Sequence, residues 1–491
     1  MRRLQGLAIV LVSLSALSVQ AAPPPAPLAY LSSMVQDPKQ GDKTLAVLRG
    51  TEDKALVPVF EAMTRSGDKK RRLFGVVALV ELAGKDAATV LIERINTDTA
   101  MAVRAESLGR LLEQKVLTPE QIAGAMTIPD ENIQCLAARA LVAKGKADQA
   151  LPVLARLAAS SDGPTATLAQ TCLLGLGHRQ YEAPVAKAMR DDATTPLLLG
   201  ALLRQAERQK PTAVLPLALH VAASPHRPIN LRVQAYKVAA EVSSLGAATL
   251  RDAIGSSKQD ALRVRLLKVL SSRDDAGPHV KKLASEPGAV GALARFELAR
   301  EAGGPAASAA VTAALAQEHP VVIAYVLDRA GEDLAARGKA CDFYTPGLLT
   351  LIAGVNPRPR QMQKEHFLAA GAAAKLVELG TPAALAGLKK LLSGKVTAVT
   401  RTVAAGLLRS QSAAACELVR PLLSSPYEEL SADAALALGH FGDSAARPRL
   451  ADILVNRQRH APALAVLASW YLLKIDGKTQ PAALHLAKLV K

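Results

Sequence analysis

Apolar residues recur along the chain with the spacing of helix faces, in runs of about 10 to 15 residues separated by short turns. Many positions within these runs are alanine or leucine, and polar residues return every three or four positions. The alternation of apolar and polar residues that is typical of strands is almost absent. The pattern predicts an all-α protein made of short helices joined by tight corners.

The corners recur at a regular interval. The glycines that close them are about 31 residues apart or twice that, in the successive pairs Gly84–Gly145, Gly145–Gly177, Gly380–Gly442 and Gly442–Gly477. A period of that length fits two helices and two corners. About twelve or thirteen such helix pairs fit between the first and last of these glycines, which predicts a stacked array rather than separate globular domains.

One stretch carries the repeat most clearly. LSADAALALGHFGD, from Leu430 to Asp443, resembles the helix of the HEAT repeat in its short, phycobilisome-lyase-like form, which reads V-R-x-x-A-A-x-A-L-G-x-L-G-D. The matching positions are Ala434, Ala435, Ala437, Leu438, Gly439, Gly442 and Asp443, with Phe441 in place of the second leucine. Leu430-Ser431 departs from the Val-Arg pair of the family.

Other copies fit the same frame, with Arg72, Arg263 and Arg401 at the arginine position of the repeat. The copies around Leu293 and Pro346 fit poorly. The resemblance covers nearly the whole chain after the N-terminal segment, and it implies a right-handed α-solenoid of about 12–13 HEAT-like helix pairs. Proteins of this type hold other macromolecules along extended surfaces.

The sequence Gly439-His440-Phe441-Gly442-Asp443 also has the residue types of a small active-site loop. In the repeat frame, glycine ends one helix and aspartate caps the next, so we interpret the loop as a helix–helix corner. His440 is then expected to be exposed or half-buried and to have no catalytic role.

The N-terminus has the features of a secretory signal peptide. Arg2 and Arg3 precede an apolar stretch from Leu7 to Leu17, and small residues lead to Ala21. We expect cleavage after Ala21 and export of a bacterial protein to the periplasm or the medium. The predicted organisation is a signal peptide at 1–21, a Pro-rich tether at 22–40 and a continuous solenoid at 41–491, with an irregular repeat or insertion around 338–366.

Charge points to an acidic partner. The formal net charge of +17 falls to +15 without Arg2 and Arg3. Three basic clusters exceed what the repeat needs, and they supply the candidate partner-binding residues Lys69, Lys70, Arg71, Arg358, Arg360, Arg457 and Arg459. A solvated surface is the simpler interpretation of the run at 69–71. For the loop with Arg358 and Arg360, a decayed repeat with a neutral bulge is an equal alternative, and the cluster with Arg457 and Arg459 is the weaker signal. Our leading hypothesis is an exported scaffold for protein partners, and the alternative is an electrostatic binder of anionic envelope polymer or lipid.

Sequence motifs for chemistry are missing. The chain has no His-Glu-x-x-His, Cys-x-x-Cys, G-x-S-x-G, phosphate-loop or dinucleotide fingerprint, so we expect no catalytic residue, metal or cofactor. An unrecognised HEAT-like enzyme is a second alternative. Only 3% of residues are aromatic, and this scarcity together with export argues against a nucleic-acid partner. No segment reaches the roughly 18 apolar residues of a membrane-spanning helix. Trp470 and Tyr471 are expected to cover the exposed end of the solenoid.

Four cysteines are widely spaced: Cys135, Cys172, Cys341 and Cys416. At least three lie within apolar helical patterns, which predicts small buried thiols. A disulfide between Cys135 and Cys172 on neighbouring helices is the alternative.

Overall fold

The computed structural model describes residues 38–209, 212–243, 246–356, 364–393, 398–409 and 413–476. Within these ranges the regular elements are α-helices and short 3-10 turns, and no strand occurs. The predicted all-α class is confirmed.

The helices are short and follow one another closely, as the hydrophobic pattern predicts. In chain order they are α1 (Pro38–Arg49), α2 (Val57–Met63), α3 (Lys69–Ala83), α4 (Ala88–Thr97), α5 (Met101–Gln114), α6 (Pro119–Ala125), α7 (Glu131–Ala143), α8 (Ala147–Leu157), α9 (Gly163–Gly175), α10 (Glu182–Arg190), α11 (Pro196–Gln209), α12 (Leu215–Ala223), α13 (Ile229–Val242) and α14 (Ala247–Ser256). They continue as α15 (Asp260–Ser271), α16 (Gly277–Ala284), α17 (Gly288–Ala302), α18 (Gly304–Leu315), α19 (Pro320–Arg337), α20 (Thr345–Ala353), α21 (Lys364–Leu379), α22 (Pro382–Leu392), α23 (Ala398–Arg409), α24 (Ala413–Val419), α25 (Glu428–His440), α26 (Arg447–Val455) and α27 (Pro462–Ile475).

These elements form two compact units. The first contains the described residues within 1–110, 356–360 and 376–491, and the second contains those within 111–355 and 361–375. None of the helices in the described ranges is long and apolar enough to cross a membrane.

In the second unit the helices form two layers. Many helices pack against the next one along the chain, as α7 does against α8 and α12 against α13. Alternate helices also pack side by side, so that α7, α9, α11, α13, α15 and α17 make one layer, while α10 contacts α12 and α14 contacts α16 in the other. This pairing and stacking is the arrangement of an α-solenoid and confirms the predicted fold.

Arginines close the ends of many helices. The last carbonyl groups of a helix have no partner within it, and an arginine near the start of the next helix donates to one of them at 2.6–2.9 Å. The arginines that do so include Arg104, Arg232, Arg263 and Arg295. Arg72 makes the same kind of contact to Ser66 O at 2.9 Å and pairs with buried Asp98. Two of the predicted repeat arginines, Arg72 and Arg263, are therefore structural. The third, Arg401, is exposed and pairs with Glu429 at 3.6 Å.

The corner between α25 and α26 has the geometry that the repeat predicts. Helix α25 ends at His440, and Gly442 has a left-handed φ of 74° that glycine adopts without strain. The Asp443 backbone N–H donates to Leu438 O, and its carboxylate accepts from the Ala445 N–H at 2.9 Å. His440 is half-buried against Tyr471 and Phe441, so the loop is a structural corner. The glycines at 84, 145, 177 and 380 also have positive φ, and Gly477 lies outside the described residues.

Within the first unit, α1 packs against α27. Trp470 is fully buried there, and its Nε1–H donates to Asp53 Oδ2 at 3.1 Å. Lys474 Nζ donates to the same oxygen at 2.8 Å. Burial acts to raise the pKa of Asp53, but these two donors and the Ala55 N–H outweigh it and hold that pKa below its usual range. The expectation that Trp470 covers an exposed end is wrong, because N-terminal elements cover it.

Candidate functional site

The sequence-predicted cluster at Lys69–Arg71 forms the first turn of α3 in the first unit. Lys69 and Lys70 are exposed, while Arg71 is half-buried and pairs with Asp42 at 3.3 Å. Asp68 precedes the helix and accepts from the Arg71 N–H at 2.9 Å, which lowers the pKa of its carboxyl. The carboxylate therefore offsets the unfavourable placement of cations at a helix start. Arg71 has a structural role here, which leaves the two lysines free for a partner.

The other predicted basic residues lie elsewhere. Arg457 and Arg459 belong to a 3-10 turn of the first unit between α26 and α27, with Arg459 exposed and Arg457 half-buried. Arg358 and Arg360 lie outside the described residues. The aromatic pair of the same irregular repeat, Phe343 and Tyr344, is buried rather than displayed for binding.

A further cationic surface lies in the second unit, where the sequence predicted none. It consists of Arg139 on α7 and of Arg204 and Arg208 on α11, and we call it the arginine face. Arg204 and Arg208 are exposed and Arg139 is half-buried. Within the described ranges none of the three forms an ion pair, in contrast to Arg49, Arg72, Arg263 and Arg329.

A chain of side-chain amides holds Arg139. Its Nε–H donates to Gln205 Oε1 at 3.2 Å, and Gln205 Nε2 donates to Gln209 Oε1 at 2.8 Å. Gln209 Nε2 in turn donates to the carbonyl oxygen of Cys172 on α9 at 3.1 Å. Gly175 makes room for this relay, because a Cβ there would stand 2.2 Å from Gln209 Oε1. Arg139 is thus oriented through its Nε–H, and no described carboxylate pairs with its guanidinium.

The surroundings of Arg139 supply no compensating negative charge. Burial lowers the pKa of its guanidinium, and the positive charges of Arg208 and Arg204 lower it too. Two thiols are nearby, but burial raises the pKa of Cys135 and raises that of Cys172 to about 12, so both stay protonated. Arginine itself remains charged at every physiological pH. The arginine face therefore holds three positive charges without an internal counter-ion.

An exposed leucine lies in line with the arginines. On α11, Arg204 follows Leu197 by seven residues and Arg208 follows it by eleven, which places all three on one face of the helix. Leu197 is 80% exposed, the largest exposure among the large apolar side chains of the described residues. The face thus combines cationic groups with an unburied apolar group at one end.

The second unit also contains a buried network of charged residues. Arg329 Nε donates to Glu297 Oε1 at 2.8 Å, and Arg300 pairs with Asp333 at 2.5 Å and with Glu297 at 3.2 Å. All four side chains are at most 12% exposed. We call Glu297, Arg300, Arg329 and Asp333 the buried ion network.

Two tyrosines complete that network. Tyr325 OH donates to Glu297 at 2.6 Å and Tyr344 OH donates to Asp333 at 2.7 Å. Burial and these carboxylates raise the pKa of both phenols, which remain protonated donors. Every charge of the network has a partner inside it, so no group is left for a ligand and its role is structural. The described residues contain no cluster of three or more His, Cys, Asp or Glu placed to hold a metal ion.

All four cysteines are buried, as the sequence predicted. Cys172 lies beside the relay, where its sulfur accepts from Gln205 Nε2 at 3.4 Å. Its raised pKa makes it a weak nucleophile.

Comparisons with known proteins give only remote similarities. No family model and no curated protein matches the sequence. Among solved structures, a homology model of the full-length AP-3 complex in an intermediate open conformation is similar at 12% identity and a TM-score of 0.33, covering 94% of this chain and 92% of that one. The karyopherin Kap121p bound to the extreme C-terminus of the protein phosphatase Cdc14p is similar at 12% identity and a TM-score of 0.27.

The match to this karyopherin structure covers 94% of the present chain and 52% of the karyopherin. Kap121p bound to the SUMO protease Ulp1p gives the same identity and coverage at a TM-score of 0.29. Similarity at these values carries no argument about partners. The solenoid fold rests on the helix packing of this chain.

A local pattern could have pointed to the arginine face. In RQAERQ, the arginines at 204 and 208 and the glutamines at 205 and 209 form two pairs spaced by four, so each pair shares a helix face. Glu207 lies between them in sequence, yet it pairs with Lys237 at 2.7 Å on another side of the helix. The contribution of Arg139 depends on a contact across 66 residues and has no sequence signal.

Proposed function

We propose that this protein is an exported, non-catalytic scaffold that binds a protein partner through exposed cations of its solenoid. The fold supports this proposal, since stacked helix pairs offer extended surfaces. The N-terminal pattern of basic, apolar and small residues up to Ala21 supports export.

One observation carries the proposal. The arginine face keeps three guanidinium groups without a carboxylate partner, whereas Arg300 and Arg329 of the buried ion network in the same unit pair with carboxylates. Like charges held close together destabilise a fold unless a ligand compensates them. An anionic partner is the simplest compensation. The exposed pair Lys69 and Lys70 offers a second, smaller basic patch in the first unit.

Affinity capture from the native envelope tests the scaffold function. Wild-type protein should retain a specific protein at low salt and release it as the salt concentration approaches molar, where charges are screened within a few ångströms. Capture of lipid or envelope polymer instead of protein would replace the proposal with electrostatic surface binding. Substrate turnover by the purified protein would overturn the non-catalytic assignment.

N-terminal sequencing tests export. The protein recovered from the periplasm or medium should begin at Ala22 or within a residue or two of it. Recovery of the uncleaved chain from the cytoplasm would contradict this part of the proposal.

A further inference from the structure

We propose that the arginine face binds an acidic segment of a protein partner, with an apolar side chain of that segment placed on Leu197. This inference rests on the proposed scaffold function and names the site and the chemistry of the partner. It commits to a peptide segment rather than to a lipid surface or a polymer.

The positive charge of the arginine face favours an acidic partner. Arg139, Arg204 and Arg208 lie close enough for the two exposed arginines to lower the pKa of Arg139, and no described carboxylate neutralises them. Guanidinium groups present paired N–H donors that match the oxygens of a carboxylate. Glutamate and aspartate side chains are therefore suited to this face.

The side chain of Arg139 is also held in place before a partner binds. The amide relay from Arg139 through Gln205 and Gln209 to Cys172 O fixes the arginine through Nε. No described carboxylate pairs with its guanidinium, and little side-chain freedom remains to be lost when a carboxylate binds. The close approach at Gly175 keeps the relay in place.

Leu197 favours a peptide segment over other anionic ligands. It lies about 16 Å along α11 from Arg208, from the 1.5 Å rise per residue of an α-helix. A short extended segment of about five residues spans that distance. Polyphosphate has no apolar group for Leu197, and a flat bilayer surface does not reach half-buried Arg139 as a side chain does. A segment with acidic residues followed by an apolar residue fits both features.

Fluorescence anisotropy with a labelled synthetic peptide tests the site. The probe is a peptide of about ten residues that carries several glutamates and a terminal leucine. The site variant is Arg204→Gln with Arg208→Gln. The matched control is Lys281→Gln with Lys282→Gln, which removes the same charge from exposed positions of α16 in the same unit.

We expect the site variant to weaken peptide binding at least tenfold, because two charge-assisted contacts are lost. The control should stay within about twofold of wild type. Leu197→Ser should weaken the leucine-terminated peptide by about threefold or more and leave a serine-terminated peptide unchanged. Equal losses in both double variants would show attraction by net charge alone and overturn the proposal, as would no binding of the peptide by wild type.

Two other probes separate the sources of negative charge. Phosphatidylglycerol vesicles and inorganic polyphosphate should bind no better to wild type than to the site variant. Tighter binding of either probe than of the peptide, lost in the site variant, would assign the face to lipid or polymer and overturn the inference.

Failure of this inference is distinguishable from failure of the scaffold function. If the site variant captures the native envelope protein as well as wild type does, the inference fails and the scaffold function stands. If wild type captures no protein, the scaffold function itself fails.

Discussion

Two groups of arginines in the second unit have opposite surroundings. In the buried ion network, Arg300 and Arg329 reach carboxylates on neighbouring helices at 2.5–2.8 Å. In the arginine face, Arg139 contacts a neutral amide and lies beside the protonated thiol of Cys135, and its charged neighbours are further arginines. The arginine face and Arg300 of the network lie on the layer of alternate helices that includes α7, α11 and α17. The same residue type on the same layer therefore stabilises the fold in one region and stays available to a partner in the other.

Whether an arginine stabilises the fold or remains available for binding depends on how deeply it is buried and on whether a carboxylate lies beside it. A buried charge needs a counter-ion, so the network fixes how α17 and α19 pack. An exposed or half-buried cation is hydrated in part and tolerates the lack of one. Changes to the two groups should accordingly affect different properties, namely stability for the network and binding for the face.

The largest effect is expected for Glu297→Gln, which keeps the shape of the side chain and removes its charge. Arg329 and Arg300 then lose a counter-ion in a buried site, so the free energy of unfolding should fall by about 3–5 kcal/mol. Urea denaturation measures it. Glu301→Gln on the same helix is the control, because Glu301 is exposed, and it should change stability by less than about 0.5 kcal/mol. Equal effects of the two variants would show that the network does not stabilise the fold.

A half-buried carboxyl without a counter-ion sharpens the comparison. Asp433 of α25 forms no ion pair within the described residues, and burial, with a contribution from Glu429, raises its pKa to about 6 although Arg401 acts in the opposite direction. The unfolded carboxyl ionises near 3.8, so the native state loses stability as the pH rises from about 4 to 6.

Asp433→Asn should therefore stabilise the protein at pH 7.5 by at most about 3 kcal/mol, and the gain should shrink as the pH falls toward 4. Urea denaturation at several pH values measures this. A gain that is independent of pH would indicate that the ionisation of Asp433 is not its cause.

Gln205→Leu breaks the relay that holds the arginine face. It leaves Arg139 Nε and Gln209 Oε1 without their partner, which should lower the free energy of unfolding by about 1–3 kcal/mol. Gln234→Leu is the control, since its contact to Gly200 O is long at 3.4 Å and should contribute less than about 1 kcal/mol. If Gln205→Leu leaves both stability and peptide affinity unchanged, the relay does not position Arg139.

The smallest effect on stability is expected at the face itself. Arg204→Gln with Arg208→Gln removes two unpaired exposed cations, so thermal unfolding should change by less than about 0.5 kcal/mol or shift slightly upward as repulsion is relieved. By contrast, Arg329→Gln should lower stability by several kcal/mol because Glu297 loses its partner. A large loss in the double variant would mean that the face supports the fold.

The sequence predicted the fold well because the repeat is local. Alanine spacing, corner glycines and helix-capping aspartates act within a dozen residues, so the corner at Gly442 and Asp443 follows from the pattern. The likeness to the phycobilisome-lyase form of the repeat and the cleavage after Ala21 remain predictions. The packing of Trp470 against Asp53 was missed, since those residues are 417 positions apart.

The candidate site was harder to predict, because basic runs are visible in a sequence and missing counter-ions are not. Arg71 stands in a conspicuous run, yet Asp42 neutralises it. Arg139 stands alone in an apolar helix, and only the folded arrangement shows that Gln205 orients it and that no described carboxylate reaches it.

Hydrogen–deuterium exchange of the wild-type protein with and without the acidic, leucine-terminated peptide tests the central claim most directly. The account predicts slower exchange in α7 and α11, which carry the arginine face, with α17 and α19 unchanged because their charges are already paired. Protection in α17 or α19, or none in α11, would contradict it.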